Sequence, residues 1–507
     1  MTEQHFDIVI IGAGPGGYST ALRAAQLGKT VALVERDDTL GGTCLNRGCI
    51  PSKALLTAAH SVENVRQAER MGINVALQSI DFGRLRDFRM STVETMTKGL
   101  AGLLSHRGVT VFRGEAQLKN GYEVHVAPAL GETQVLRSIK AGVGEPVGSE
   151  LTISGGDIVL ATGSRPLPLP DDPFSGALID STQALELDTF PSSAVIIGAG
   201  AVALEFASLW NASGCKVTLL IRKDRVLSSW ERRASMTLTR ELKRHGVNVV
   251  ARTSVSHVDT GANLGATVHY RQGDDGEERT AYGEVVLAAI GRMPNTDADW
   301  FASNGIALDE RGYVLTDAYG RTNVEGVWAL GDITPGHALA HRAFEQGITI
   351  AETIAGLDPK PVVDETVPQV VFSFPEAASV GLTLSEAKSR DTIVDPQETA
   401  YPMLSNSRML MSGEGGSMTI VSGAMADAPD VPLVLGVHIV SPIASDLIAE
   451  AEQLVGNHVP LADAAKLIHP HPTFSESFGE ALLKADGRPL HTLSLIHISE
   501  PTRPRLI

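Results

Sequence analysis

Twice in 507 residues an apolar, β-branched run breaks directly into closely spaced glycines and then into a helical pattern. The first instance is Phe6 to Ile11, then Gly12-Ala13-Gly14-Pro15-Gly16-Gly17, a helical stretch from Tyr18 to Leu27, and a second apolar run, Thr30 to Val34, ending on Glu35. The second is Ala194 to Ile197, then Gly198-Ala199-Gly200-Ala201-Val202-Ala203, a helical stretch, and Lys216 to Ile221. Short unbroken apolar runs read as parallel strands buried on both faces. Strand, glycine turn, helix and strand in that order make a βαβ unit. In Gly12-x-Gly14-x-x-Gly17 the first glycine makes the turn, the second lets backbone approach a pyrophosphate, and the third lets helix and strand close up. Gly198-x-Gly200-x-x-Ala203 carries alanine in the third place, which the pattern tolerates. Two such units predict two bound dinucleotides.

The strand ends differ between the units. Glu35 lies twenty-three residues after Gly12, where a carboxylate can accept hydrogen bonds from an adenosine ribose. The same step from Gly198 arrives at Ile221, followed by Arg222 and Lys223. No acid stands there to hold ribose hydroxyls, and a guanidinium pairs bidentately with a phosphate on that ribose. This favours NADP over NAD; the alternative is that Arg222 and Lys223 form a solvated basic turn.

Two of the three cysteines follow the first unit, in Gly42-Thr43-Cys44-Leu45-Asn46-Arg47-Gly48-Cys49-Ile50-Pro51-Ser52-Lys53. A structural zinc normally takes four ligands and there is no second cysteine pair, so no metal site is expected. The pairing suggests a redox-active disulfide beside a flavin. Cys215, in an apolar context, reads as a buried bystander. Three cysteines in a long chain suit a reducing compartment, where a disulfide that forms is usually catalytic. The chain opens without a basic leader, and glycines interrupt the run from Ile8 to Ile11, so neither a signal peptide nor a membrane span is expected and the protein is placed in the cytoplasm. With 42 basic and 59 acidic residues the formal net charge is −17, which repels nucleic acid and anionic membrane. Small molecules or a basic protein module remain as partners.

Further along, Tyr122 to Ser154 alternates glycine with β-formers and predicts an antiparallel meander. Asp157 to Ser164 reads as a strand entering a tight turn at Ala161-Thr162-Gly163-Ser164, and Val285 to Arg292 is its counterpart. Val327-Trp328-Ala329-Leu330-Gly331-Asp332 predicts a buried strand ending on a carboxylate. From about Val367 the pattern changes to strands with proline punctuation and two helices. It ends in His469-Pro470-His471-Pro472-Thr473-Phe474-Ser475-Glu476.

The stretch around Cys44 and Cys49 resembles the pyridine nucleotide-disulfide oxidoreductases, FAD-containing homodimers, and the resemblance covers about residues 5 to 485. It implies an α/β fold with two Rossmann-like dinucleotide-binding domains plus an α+β C-terminal dimerisation domain. The implied boundaries are 1–167 for the first part of the FAD-binding domain, 168–290 for the NAD(P)-binding domain, 291–366 for a central domain completing the FAD site, and 367–492 for the interface domain. By the same resemblance Cys44 is the interchange thiol and Cys49 the charge-transfer thiol against the flavin. A helix starting near Cys49 would help hold that thiolate. Lys53 is implied near flavin N5, paired with Glu205. Asp332 matches the residue that binds the ribityl chain, and Ala340 and His341 should line the same site. Thr43, Ala116, Thr162, Gly163, Ser164 and Gly291 join the glycines and Glu35 as implied cofactor-binding positions. His471 would be a general base, with Glu476 its orienting carboxylate, supplied by the other subunit. His469 is given a structural role.

Within the family, Ile50-Pro51-Ser52-Lys53 and the doubled histidines look most like the dihydrolipoamide dehydrogenase branch. That implies oxidation of a dihydrolipoyl dithiol by NAD(P)+ and a possible place in a lipoyl-bearing complex. Two features depart from that branch. Leu220 to Leu227 resembles the NADP-binding arm of glutathione reductases, although Ser228 stands where a second arginine is expected, leaving Arg225 as its substitute. Arg47 falls inside the disulfide loop, where it would alter access to Cys44. Two other readings stay open: an NADPH-dependent reductase of another disulfide or of quinones, and a non-catalytic flavoprotein subunit of a lipoyl-bearing complex. Leu493 to Arg503 resembles the translated read-through of a sequencing adapter, so residues 493–507 are expected to be a non-native tail.

Overall fold

The structure, a computed structural model, describes residues 4–138, 144–261, 265–273 and 276–492. The tail expected to be non-native, 493–507, lies outside them. The chain divides into two compact units, residues 1–168, 180–189 and 291–364 in the first and the remainder in the second.

The first unit is built on five parallel strands in the order Val327–Ala329, Leu151–Leu160, Gln4–Ile11, Val31–Glu35 and Thr110–Arg113. Alternate side chains of the central strand serve two cores. Ile8 and Ile10 pack with Leu33 and Leu104 on one face, while Val9 and Ile11 pack with Phe112 and Leu160 on the other. Both faces being covered is why the run must be apolar at every position. Each such side chain contributes about 1.5–3 kcal/mol by leaving water. The helix Pro15–Gln26 lies against the helix Ala340–Ile354 at two glycines. A Cβ on Gly16 would sit 3.4 Å from Ala343 Cβ and 1.8 Å from Leu330 Cδ1, ahead of that helix, and one on Gly347 would sit 2.4 Å from Ser19 Oγ.

The predicted single meander over 122–154 is instead two separate additions. The antiparallel pair Glu115–Lys119 and Glu123–Ala127 joins one edge, along the first half of Leu151–Leu160. The hairpin Val135–Ser138 and Glu145–Gly148 joins the opposite edge, on Thr110–Arg113. A parallel sheet has two open edges, and each piece covers one. Residues 180–189, inside the span assigned to nucleotide binding, group with this first unit. There Arg89 Nη1 donates to Glu186 Oε1 at 2.8 Å and to the Leu185 carbonyl.

The second unit carries another parallel sheet, in the order Leu178–Ile179, Val285–Ala288, Ser193–Ile197, Lys216–Ile221 and Asn248–Ala251. A three-stranded antiparallel sheet spans Thr253–Asp259, Ala266–Gln272 and Glu278–Gly283. Beyond 365 an antiparallel five-stranded sheet has Glu376–Gly381, Ala428–Ser441 and Ser417–Met425 at its centre. The helices Ala444–Gly456 and Glu476–Ala485 bury Leu447, Leu454, Phe478 and Leu482 in its core. Three further helices, Leu384–Lys388, Ser407–Ser412 and Leu461–Ala464, have six residues or fewer and so carry no readable period. Among the described residues no helix is long and apolar enough to cross a membrane.

Candidate functional site

In the first unit the glycine loop joins Gln4–Ile11 to the helix Pro15–Gln26. Gly12 takes a positive φ of 103°, and a Cβ there would lie 2.3 Å from the Ala161 carbonyl oxygen. A Cβ on Gly17 would lie 1.9 Å from Gly12 O. Gly14, the residue before the helix, has nothing within 4 Å of its Cβ direction. Two glycines therefore serve packing, and one keeps space open in front of a helix N-terminus, whose free N–H groups and dipole favour a phosphate. Glu35 closes the loop from below. It accepts from the backbone N–H of Ala13 and Arg36, each at 2.8 Å, and of Asp37 at 3.0 Å. Burial pushes its carboxyl up, and the three N–H donors offset part of that rise.

The cysteines occupy two successive helices, Gly42–Arg47 and Cys49–Gln67. Asn46 ties the first to the loop before it, donating to Leu40 O at 3.1 Å and Gly42 O at 3.0 Å. Arg47 is turned to Asp37 in a 2.5 Å ion pair. Cys49 is the first residue of its helix, and Lys53 follows one turn later on the same face. Cys44 is hydrogen-bonded to Cys49, and that bond, reinforced by burial, pushes the Cys44 thiol far above its usual range. The Lys53 charge opposes this shift and the Asp332 carboxylate adds to it, which places both charges within reach of the sulfur pair. Tyr18 also borders the pair: burial, then the charges of Cys44 and Cys49, raise its phenol.

Asp332 belongs to a cluster. Ser164 Oγ donates to Asp332 Oδ2 at 2.5 Å. Arg292 donates through Nε to Ser164 Oγ and through Nη2 to Ser164 O, both at 2.7 Å. Burial lowers the Arg292 pKa, while Asp332 and Cys49 pull it back. The turn at Thr162 and Gly163 is braced by Asn295, which donates through Nδ2 to Thr162 O at 2.8 Å and through its N–H to Gly163 O at 2.9 Å, and whose carbonyl accepts from Thr162 Oγ1 at 2.9 Å. Ala340 and exposed His341 open the helix Ala340–Ile354, whose third residue, Arg342, is buried. Ala116 sits on the strand Glu115–Lys119, and Gly291 adopts a positive φ immediately before Arg292. Sequence reasoning missed Tyr18, Arg292 and Asn295 as members of these clusters. Arg292 had a signal, its place directly after Gly291 in the quoted turn; Asn295 and Tyr18 had none.

The second unit repeats the first loop. A Cβ on Gly198 would meet Ala289 O at 2.2 Å, Gly200 faces open space, and Ala203 is fully buried under the turn. Glu205 is buried on the helix Ala201–Ala212 and accepts from Phe372 N–H at 3.2 Å. Ile221 is buried, and Arg222 and Lys223 are exposed. Arg225 turns inward, donating through Nη1 to Asp224 at 2.9 Å and through Nη2 to the Ser228 carbonyl at 3.1 Å, with its Nε buried and unpartnered among the described residues. Cys215 is buried, and burial pushes its thiol up to about 12.

In the same unit His471 Nδ1 lies 2.6 Å from Glu476 Oε1, and Glu476 Oε2 accepts from Thr473 N–H at 2.9 Å. Burial is the largest single influence on the Glu476 carboxyl and raises it, but the two hydrogen bonds together with the charges of His471 and His491 outweigh it and hold the group below its ordinary range. Glu476 opens the helix Glu476–Ala485, where the dipole also favours its charge. The imidazole of His471 is 77% exposed. His469 is 9% exposed, bonds Glu450 at 2.9 Å and stacks on Phe478.

The sequence profile described as pyridine nucleotide-disulphide oxidoreductase matches residues 6–347, and the dimerisation domain of that description matches 367–482. A protein named dihydrolipoyl dehydrogenase from Geobacillus stearothermophilus is 36% identical over 488 residues, covering 96% of this chain and 98% of its own. One of the same name from Bacillus subtilis is 37% identical over 487 residues, covering 96% and 97%. The crystal structure of LpdA from Mycobacterium tuberculosis aligns with a TM-score of 0.81 at 26% identity, covering 95% of this chain and 99% of that one.

Proposed function

Because the chain belongs to the pyridine nucleotide-disulphide oxidoreductases, with FAD and a nicotinamide nucleotide as cofactors, we propose that it is a dihydrolipoyl dehydrogenase acting through Cys44 and Cys49. The observation that carries the reading is the hydrogen-bonded pair of thiols, free in this structure, with Cys49 opening a helix and the charges of Lys53 and Asp332 beside them. The residues present fit a flavin dinucleotide. Gly12, Gly14 and Gly17 with Thr43 would take the pyrophosphate, and Glu35 and Ala116 the adenosine end. Thr162, Gly163, Ser164, Asp332, Ala340 and His341 would take the remainder, with Lys53 beside the ring. When bound, FAD supplies a two-electron relay between the thiols and a nicotinamide ring.

The chain's own part is disulfide exchange. A substrate thiolate attacks Cys44 Sγ, the Cys44–Cys49 bond breaks, and Cys49 leaves as the thiolate. The second substrate thiol then attacks the mixed disulfide, releasing the cyclic disulfide and leaving Cys44 reduced. The substrate is oxidised by two electrons, the cysteine pair takes them up, and His471 removes the thiol protons while Glu476 orients its ring. The hydrogen bond to Cys49 and burial both favour the protonated Cys44 thiol, so a base also assists exchange in the reverse direction.

The domain roles follow the implied boundaries: FAD on 1–167 and 291–366, the nicotinamide nucleotide on 168–290, and dimer contacts on 367–492. Gly198, Gly200, Ala203 and Gly291 would hold that second nucleotide. Buried Ile221 and exposed Arg222 and Lys223 support NADP over NAD. The test is dihydrolipoamide oxidation with NAD+ and NADP+. Turnover dependent on both cysteines is expected, with the larger kcat/KM for NADP+; a strong NAD+ preference overturns the nucleotide reading, and no dithiol turnover overturns the substrate reading. The same cations favour a second reading, an NADPH-driven reductase of another disulfide or of a quinone, which a panel of disulfides and quinones would reveal.

A further inference from the structure

The strands Lys216–Ile221 and Asn248–Ala251 run parallel, with Ile221 beside Ala251 as the last paired residues. Arg222 and Arg252 therefore leave the sheet side by side, from strands about 4.8 Å apart. The carboxyl ends of parallel strands are where such sheets bind ligands. Arg252 is fastened there on every side. Its N–H donates to Lys223 O at 3.0 Å, and its carbonyl accepts from Gly273 N–H at 2.8 Å. The next residue, Thr253, donates through Oγ1 to Ile221 O at 3.1 Å. Gln272 Nε2 donates to the Ala251 carbonyl at 3.2 Å. Arg252 is held at φ 56°, a left-handed conformation that a long side chain rarely adopts. The fold thus keeps an arginine on a rigid turn where asparagine or glycine would be the easier choice.

Arg222, Lys223 and Arg252 are all exposed, and none has an ion-pair partner among the described residues. The one acid of the segment, Asp224, faces Arg225 at 2.9 Å and Arg232 at 4.0 Å instead. Three unpaired cations at one sheet end repel each other in the absence of an anion. Arg225, whose Nη atoms are held by Asp224 and the Ser228 carbonyl and whose Nε is buried without a partner among the described residues, does not make up the phosphate contact that Ser228 lacks.

We propose that Arg252 joins Arg222 and Lys223 as the third cation of a grip on the 2′-phosphate of the adenosine ribose. The proposal rests on the NADP reading above and adds a residue that its local motif does not contain. A guanidinium can donate two parallel hydrogen bonds to the phosphate, which a lysine in the same place cannot.

The test is calorimetric titration of the flavin-loaded protein with adenosine 2′,5′-bisphosphate and with 5′-AMP, which needs no turnover. The unaltered protein is expected to bind the bisphosphate more tightly. Arg252→Asn, chosen because asparagine tolerates the left-handed turn, should weaken the bisphosphate by about tenfold and leave 5′-AMP unchanged. Arg252→Lys, which keeps the charge, should fall between them. If the unaltered protein prefers the bisphosphate and both variants bind it equally well, Arg252 has no such role while the NADP reading stands. If the unaltered protein does not discriminate, both fail together. Equal weakening of the two ligands by Arg252→Asn would mark a structural role and also overturn the proposal.

Discussion

At the scale of single residues the chemistry rests on a few short contacts. On the proposed mechanism Cys44 and Cys49 act as one unit, so Cys44→Ser and Cys49→Ser should each lower dihydrolipoamide oxidation by about 10³-fold or more. Transfer from the nicotinamide nucleotide to an acceptor that bypasses the thiols should survive, and comparing the two assays checks this. His471→Gln should cost about 10²- to 10⁴-fold in the dithiol assay alone. Glu476 is held below the ordinary carboxylate range by His471 and Thr473. Its contribution to stability is thus complete above about pH 4.3, the usual glutamate value, and is lost as pH falls through the lowered one. The difference in thermal midpoint between the unaltered protein and Glu476→Gln should accordingly persist to pH 4.3 and fade only in stronger acid. These residues were legible because each sits in a local motif. The bonds that Arg292 and Asn295 make were not, because their partners Ser164 and Thr162 lie more than a hundred residues away.

At the scale of elements, the two glycine loops separate packing from binding. Gly17→Ala would drive a methyl to 1.9 Å from the Gly12 carbonyl, a backbone atom that cannot step aside. Overpacking of this kind costs about 1–3 kcal/mol, so the thermal midpoint should drop and flavin should be lost on purification. Gly14→Ala meets nothing within 4 Å. It should leave the stability of the flavin-free protein unchanged while weakening flavin retention, because the methyl takes the space kept for phosphate. Measuring both properties on both variants distinguishes the roles. The βαβ elements were readable since their signals are local: apolar runs, glycines and a period of 3.6. The pieces between 115 and 148 were not, because which sheet edge a hairpin joins depends on strands elsewhere in the chain.

For the whole molecule, the dimerisation-domain match and the exposed imidazole of His471 lead to a test of shared sites. Subunits carrying Cys49→Ser and subunits carrying His471→Gln, each inactive alone, should regain activity when unfolded and refolded together. If the base comes from the partner, random pairing restores about a quarter of the sites of an unaltered sample. If each chain uses its own base, every mixed site keeps one defect and no activity returns.

The amino-acid order by itself determined the two glycine-turn βαβ units, the spacing of Cys44 and Cys49 and the His471–Glu476 segment near the end, since each depends on neighbours in sequence. Only the tertiary structure decided what surrounds them. It set Arg292 against Ser164 and Asp332, committed Glu35 to three backbone amides, spent Arg225 on its own turn, and brought Arg252 beside Arg222. The reason is that a glycine turn or a cysteine spacing acts through local backbone geometry, whereas a charge takes its role from whichever distant strand end the sheet register places next to it.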